Sequence, residues 1–307
     1  MSETATDRAH AAGGGPIDPD RPTREQRVGA PEALPVTVIQ PRRGWIPIDW
    51  KELWEFRELL YFLVWRDVKV RYKQTVLGAT WAILQPLVFM LVFTLIAGLT
   101  NLSTDGVPKP VFYFAGLVPW LLFANAVSLG GQSLVNQQHL LTKVYFPRLF
   151  VPIAPVGAGL LDFLLQMAVL VVMMAAYGMA PSALVLLTPL LLLVTLMAGT
   201  GMALLLGSLT VTYRDFRYVI PYMVQVWMFV SPVIYSANQC QEKFRETWGV
   251  LPAINPMWGV VTGFRAALVG TPVNATELAI STASAILVLL FGAAYFRRTE
   301  RRFADVV

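Results

Sequence analysis

Four cations at three- and two-residue steps, Arg66, Lys69, Arg71 and Lys73, stand a few residues before a long uncharged stretch that opens near Gly78. Cations at a membrane boundary either contact the phosphates of a lipid or anchor the chain by the positive-inside rule, and the residues alone leave both roles open. The second group with chemical potential is Asp162, deep in an apolar run, with Gln166 one helical turn on. An ionisable group in such a place is costly and faces a partner or a cavity. Proton relays want several such groups, and a solitary carboxylate fits a structural or pore-lining role better. Aromatics form a third group: Phe112, Tyr113, Phe114, Trp120 and Phe123, then Trp227, Phe229 and Tyr235. They are either an interfacial belt or, where deepest, a stacking surface for sugar rings.

The familiar catalytic constellations are missing. The chain has no G-x-x-x-x-G-K-[ST] phosphate loop, no H-E-x-x-H and no G-x-S-x-G. Asp18-Pro-Asp20 is a D-x-D string in a Pro- and Gly-rich tail and makes a poor metal site. Cys240 is the only cysteine, which excludes an intrachain disulfide and argues against a thiolate metal site. With a formal net charge of +5 and basic residues beside apolar runs, the chain does not read as a nucleic-acid binder.

Charge locates the helices that carry these residues. Only 14% of the 307 residues are charged and 56% are hydrophobic, against roughly 25% charged in soluble chains. Long charge-poor gaps of about 20 residues are what a bilayer-crossing helix requires, because lipid offers no hydrogen bonds to the backbone. The sequence thus predicts an all-α integral membrane protein with six transmembrane helices near 79–101, 111–135, 150–177, 183–207, 219–237 and 276–296. Residues 1–48 read as a flexible cytoplasmic tail. Residues 50–76 read as an amphipathic interfacial helix, with Leu53, Phe56, Leu60, Leu63, Val64 and Val68 on its apolar side and Trp50, Trp54 and Trp65 at headgroup depth. The transmembrane domain is placed at 77–297 and a second cytoplasmic tail at 298–307.

Short-loop cations orient the whole. Lys143 and Arg148, Arg214 and Arg217, and Arg297, Arg298, Arg301 and Arg302 fall on one side together with the basic run of the interfacial helix. Both termini are therefore expected in the cytoplasm. Residues 246–270 are too apolar for a solvated loop, yet Pro252 and Pro256 break them and Arg265 interrupts them. A full span there would reverse the basic tail. Two short re-entrant helices between spans five and six fit better, with a peripheral outer hairpin as the other reading. Pro252, Asn255, Pro256, Trp258 and Arg265 would then form an outer gate.

Several separated segments resemble one family. They are "RDVKVRYKQTVLGATWAILQPLVFMLVF" (66–93), "LTKVYFPRLFVPIA" (141–154), "YRDFRY" (213–218), "LPAINPMWGVVTGFRAAL" (251–268) and "FRRTERRFADVV" (296–307). Together they resemble the membrane subunit of ABC-2-type polysaccharide exporters, which move O-antigen, capsule, teichoic acid and related glycans. The resemblance covers roughly 50–307. It implies a homodimeric permease of the bacterial inner membrane, without a catalytic site or cofactor of its own, served by two ATP-binding cassette subunits that hold ATP and Mg²⁺. It also implies a lipid-linked glycan substrate and a loop that couples to the ATPase, here Gln138, His139, Leu140, Leu141, Lys143, Tyr145, Phe146 and Arg148. In that scheme Arg66, Lys69, Arg71 and Lys73 meet the lipid phosphate, and Phe123, Asp162, Gln166 and Trp227 line the channel. An ABC-2 permease for a small lipid or drug shares the topology. A membrane glycosyltransferase would need a catalytic cluster, and an ion-coupled flippase more buried ionisable groups.

Overall fold

The computed structural model describes residues 50–73, 78–100, 102–143, 145–240, 249–300 and 303. The expected N-terminal tail, residues 246–248 of the re-entrant segment, and Arg301 and Arg302 lie outside them. Among the described residues there are helices and turns and no strands. Helix α1 covers Trp50–Glu55, α2 Arg57–Lys73, α3 Gly78–Thr100, α4 Lys109–Asn136, α5 Gln138–Lys143 and α6 Phe150–Ala176. Then come a 3-10 turn at Ala183–Leu187, α7 Thr188–Thr212, α8 Phe216–Val230, a 3-10 turn at Leu251–Ile254, α9 Pro256–Val269 and α10 Ala275–Thr299.

Five of these, α3, α4, α6, α7 with its leading turn, and α10, are long and apolar enough to cross a membrane. At 1.5 Å per residue, the 25 residues of α10 reach about 37 Å, more than the ~30 Å of a hydrocarbon core. The segment expected as a fifth span behaves differently. Helix α8 has 15 residues and reaches only about 22 Å. It ends because Pro232 has no backbone N–H to continue the ladder. Residues 231–235 form turns and helix resumes at 237–240.

Helix α4 is the central post. In its most apolar window 89% of residues are buried, against 17% for α3. It packs on α3, α6, α7, α8 and α9, while α10 packs on α7 and α9. Close approach needs small residues. A Cβ on Gly201 of α7 would lie 2.6 Å from the backbone of Leu289 in α10, and Gly292 faces Gly201 from the other side. Helix α9 is delimited by local chemistry. The Asn255 side chain caps Met257 N, Pro256 occupies the first turn, and Gly270 closes the helix at φ 76°.

Candidate functional site

The basic loops meet at one end of the bundle. Helix α5 and the turn after it are seated by Leu140, which packs on two clusters, and by buried Phe146, which joins Leu134, Val211 and Phe296. Arg148 donates through Nη1 to the carbonyl of Glu300 at 2.8 Å, tying this loop to the end of α10. His139, Lys143 and Tyr145 remain exposed. The Tyr145 hydroxyl donates to Glu52 Oε1 at 3.4 Å, and the Glu52 carboxylate holds its phenol above the ordinary value. Leu141 lies in α5 with Gln138.

Helix α2 lies against α6. Leu63 packs with Phe150 and Ala154, and Gly157 provides the seat, since a Cβ there would meet Val64 at 2.8 Å. The four cations of α2 divide. Arg66 pairs with Asp67 at 2.8 Å, Lys69 lies over the Trp65 ring at 5.5 Å, and Arg71 pairs with Asp162. Lys73 closes the helix. Tyr72 also donates to Asp162. Burial, and then that carboxylate, hold its phenol well above the ordinary value. The lone carboxylate of α6 thus fastens the interfacial helix, and two of the four expected phosphate ligands already hold a carboxylate. Gln166 donates through Nε2 to Ala82 O of α3 at 3.2 Å. Asp162 and Gln166 therefore both hold neighbouring helices of this chain.

Phe123 is fully buried, with its ring edge-on to Trp227 at 4.9 Å. The aromatic side chains that α8 leaves exposed are Tyr218, Tyr222 and Phe229, with Gln225 among them. Spacings of four, three and four place these on one side of the helix.

The residues expected as an outer gate do come together, around the break that ends α8. Trp227 Nε1 donates to Asn255 Oδ1 at 2.9 Å, and Asn255 Nδ2 donates to Ser231 Oγ at 2.8 Å. Arg265, only 2% exposed, reaches across from α9. Its Nη1 donates to the carbonyls of Pro232 and Tyr235, its Nη2 to Val233, and its Nε to Phe112 in the first turn of α4. Its guanidinium carbon stacks 3.7 Å from the centre of the Phe112 ring. A buried charge is tolerable only when its donors are used, and here the break supplies the acceptors. Pro252 belongs to the turn before α9, and Pro256 is buried at its start. Trp258 donates through Nε1 to Glu277 Oε2 at 2.9 Å.

Sequence reasoning missed Glu277 and Asp105. Glu277 is 6% exposed and also accepts from Asn274 Nδ2 at 3.3 Å, while Asn274 caps α10 through Thr276 N. A signal was present: Asn followed three residues later by Glu ahead of an apolar run is a capping pattern. Asp105, at φ 51°, accepts from Ser236 at 2.7 Å and Asn238 at 3.3 Å. Nothing in its neighbours' spacing announced those partners. Among the described residues no group of three metal-ligating side chains occurs.

Residues 58–269 match the ABC-2 type transporter family. The chain is 31% identical to the O-antigen export system permease protein RfbA of Myxococcus xanthus, over 84% of this chain and 98% of that protein. A Klebsiella pneumoniae protein of the same name is 27% identical, over 81% and 95%. The polysialic acid transport protein KpsM of Escherichia coli is 24% identical, over 76% and 91%.

Proposed function

The chain belongs to the ABC-2 type transporter family, and from that premise we propose that it is the permease subunit of an ATP-driven exporter of a lipid-linked polysaccharide. The observation that carries this reading is near full-length similarity to two kinds of glycan-transport protein, an O-antigen export permease and a polysialic acid transport protein. Five long apolar helices make it a multi-pass membrane protein, as such a role requires. It is a transport subunit, and hydrolysis of ATP with Mg²⁺ belongs to a separate pair of ATPase subunits. The exposed side chains of the α5 loop, His139, Lys143 and Tyr145, form the surface on which an ATPase docks.

Two copies of the chain enclose the path. The exposed face of α8, with Tyr218, Tyr222, Gln225 and Phe229, supports this assignment, because aromatic faces accept the C–H faces of sugars while Gln225 offers hydrogen bonds. Both termini lie in the cytoplasm, where the cations of α2, the α5 loop and the end of α10 gather. Helix α8 and the segment after its break make the fifth crossing in chain order, which brings the number of crossings to six. The turn at Leu251–Ile254 and α9 dip in from the outer side, held by Asn255 and Arg265, and close the path there.

Purification of the tagged chain in mild detergent, with mass spectrometry of what accompanies it, tests the assembly. A stoichiometric subunit with a phosphate loop and vanadate-sensitive ATPase activity is expected. A chain that purifies alone under several mild conditions, with no such activity, overturns the reading.

A further inference from the structure

At the end of the bundle that carries the basic loops, a cavity of about 470 Å³ opens beneath α5. Val135 of α4, Gln138 of α5, Thr210 and Val211 of α7, Arg214 in the turn before α8, and Arg217 and Tyr218 in the first turn of α8 line it. Its volume is within the range of small-molecule sites, about 300–1,000 Å³. The Arg214 guanidinium makes no hydrogen bond or ion pair with any described residue; only its backbone carbonyl is engaged, by Arg217 N at 3.3 Å. Arg217 gives one long bond, Nη2 to Asn136 Oδ1 at 3.4 Å. Asp215, between them in sequence, is exposed and is not among the lining residues. Among the described residues the cavity therefore presents two guanidinium forks, a phenol and an amide, with no carboxylate on its wall. That donor set suits a phosphate, which guanidinium groups bind in bidentate fashion.

Two further observations specify the occupant. Tyr218 lines the cavity and also begins the exposed row Tyr218, Tyr222, Gln225, Phe229 of α8. A ligand whose phosphate sits between the arginines thus has an aromatic row leading away from it. The α2 arginines, by contrast, are held by Asp67 and Asp162. We infer that this cavity binds the phosphate or diphosphate linkage of a lipid-linked glycan, with Arg214 and Arg217 on the phosphate oxygens and the first sugars on Tyr218 and Tyr222. The inference rests on the exporter reading and moves the phosphate site from α2 to the α7–α8 turn. Gln138 is the first residue of α5, so an occupied cavity touches the element on which the ATPase is proposed to dock.

The test uses the full chain in nanodiscs of zwitterionic phosphatidylcholine. Dissociation constants are measured for a polyprenyl-diphosphate-linked disaccharide, for inorganic pyrophosphate and for phosphatidylglycerol. The glycolipid is expected to bind tightest. Arg214→Gln with Arg217→Gln should weaken it by about 30-fold or more, given two lost charge-assisted contacts. Joint replacement of Arg66, Lys69 and Lys73 by Gln should weaken it less than about threefold. Both cavity arginines are exposed, so melting temperatures should match the wild type. Gln138→Glu, which places a carboxylate on the rim and removes no arginine, should also weaken binding.

Unchanged glycolipid affinity in the double arginine variant overturns the site. Equal affinity for inorganic pyrophosphate reassigns it to a free anion, and preference for phosphatidylglycerol reassigns it to bulk anionic lipid. Each of those also overturns the inference. Export in cells separates the two levels. If surface glycan persists without this chain, the exporter reading itself fails. If export needs the chain while the double variant binds normally, only the cavity assignment fails.

Discussion

Replacing Arg265 with Met keeps much of the stem's volume and removes every donor. The guanidinium serves four carbonyls, at 3.2 Å (Phe112), 2.5 Å (Pro232), 3.3 Å (Tyr235) and 2.7 Å (Val233). Phe112 lies in α4 and its carbonyl retains a helical acceptor role. The other three belong to the break after α8. A buried acceptor left without a partner costs about 1–3 kcal/mol, so three cost about 3 kcal/mol at the low end. That is roughly a 150-fold shift toward an open break. Cys240, the only thiol, lies just beyond the break. Its maleimide labelling reports local opening when closing outpaces reaction. Cys240 is already partly exposed, so its labelling rate should rise by up to about two orders of magnitude in Arg265→Met and less in Arg265→Lys, whose ammonium keeps a charge but lacks the planar fork. Gly116→Ala should act in the same direction, because its Cβ would lie 2.5 Å from Arg265 Nη2. Labelling within twofold of wild type, with an unchanged melting temperature, would show that Arg265 does not hold the break closed.

Asp162→Asn should destabilise the chain by about 3 kcal/mol by leaving Arg71 without its carboxylate. The double variant with Arg71→Met should recover much of that loss, as a thermal-unfolding double-mutant cycle will read. Tyr72 contributes stability that is fully present below pH 10, the ordinary phenol value. That contribution falls as the pH rises past that value and through the higher folded-state value, so Tyr72→Phe should flatten the alkaline limb of a stability profile. Glu277→Leu should cost about 1–3 kcal/mol by stranding the Trp258 indole N–H, and Glu277→Gln less, measured by urea unfolding in detergent. Gly201→Leu should lower the melting temperature sharply by forcing α7 from α10, whereas Gly178→Leu, in open space though strained at φ 67°, should cost less.

Much of the architecture was legible because charge is excluded from lipid-facing helices. The gaps between Lys109 and Lys143, or between Arg148 and Arg214, locate α4, α6 and α7 without knowledge of their neighbours. The prolines at 252 and 256 and the glycine at 270 likewise mark the limits of α9. The break after α8 was harder to see. Pro221 sits inside the helix and Pro232 ends it, and which proline ends a helix depends on who satisfies the freed carbonyls. That answer lies 33 residues away, in Arg265. Asp162 shows the same limit. Its burial cost announced a partner, but Arg71 is 91 positions distant and reaches it only because α2 packs on α6. The aromatics divided similarly. Phe123 and Trp227 stood out by depth, yet depth does not tell a packed face from an open one. The exposed row on α8 emerged only once α4 had claimed the other side.

The proposed role of this chain, export of a lipid-linked glycan from the cytoplasm, is open to test in cells. The most direct measurement is controlled depletion of the chain, with lipid-linked glycan quantified inside the cell and at its surface. Glycan should accumulate on the cytoplasmic side while surface polysaccharide falls, and re-expression should reverse both. Normal surface glycan with no internal accumulation would contradict the proposed role.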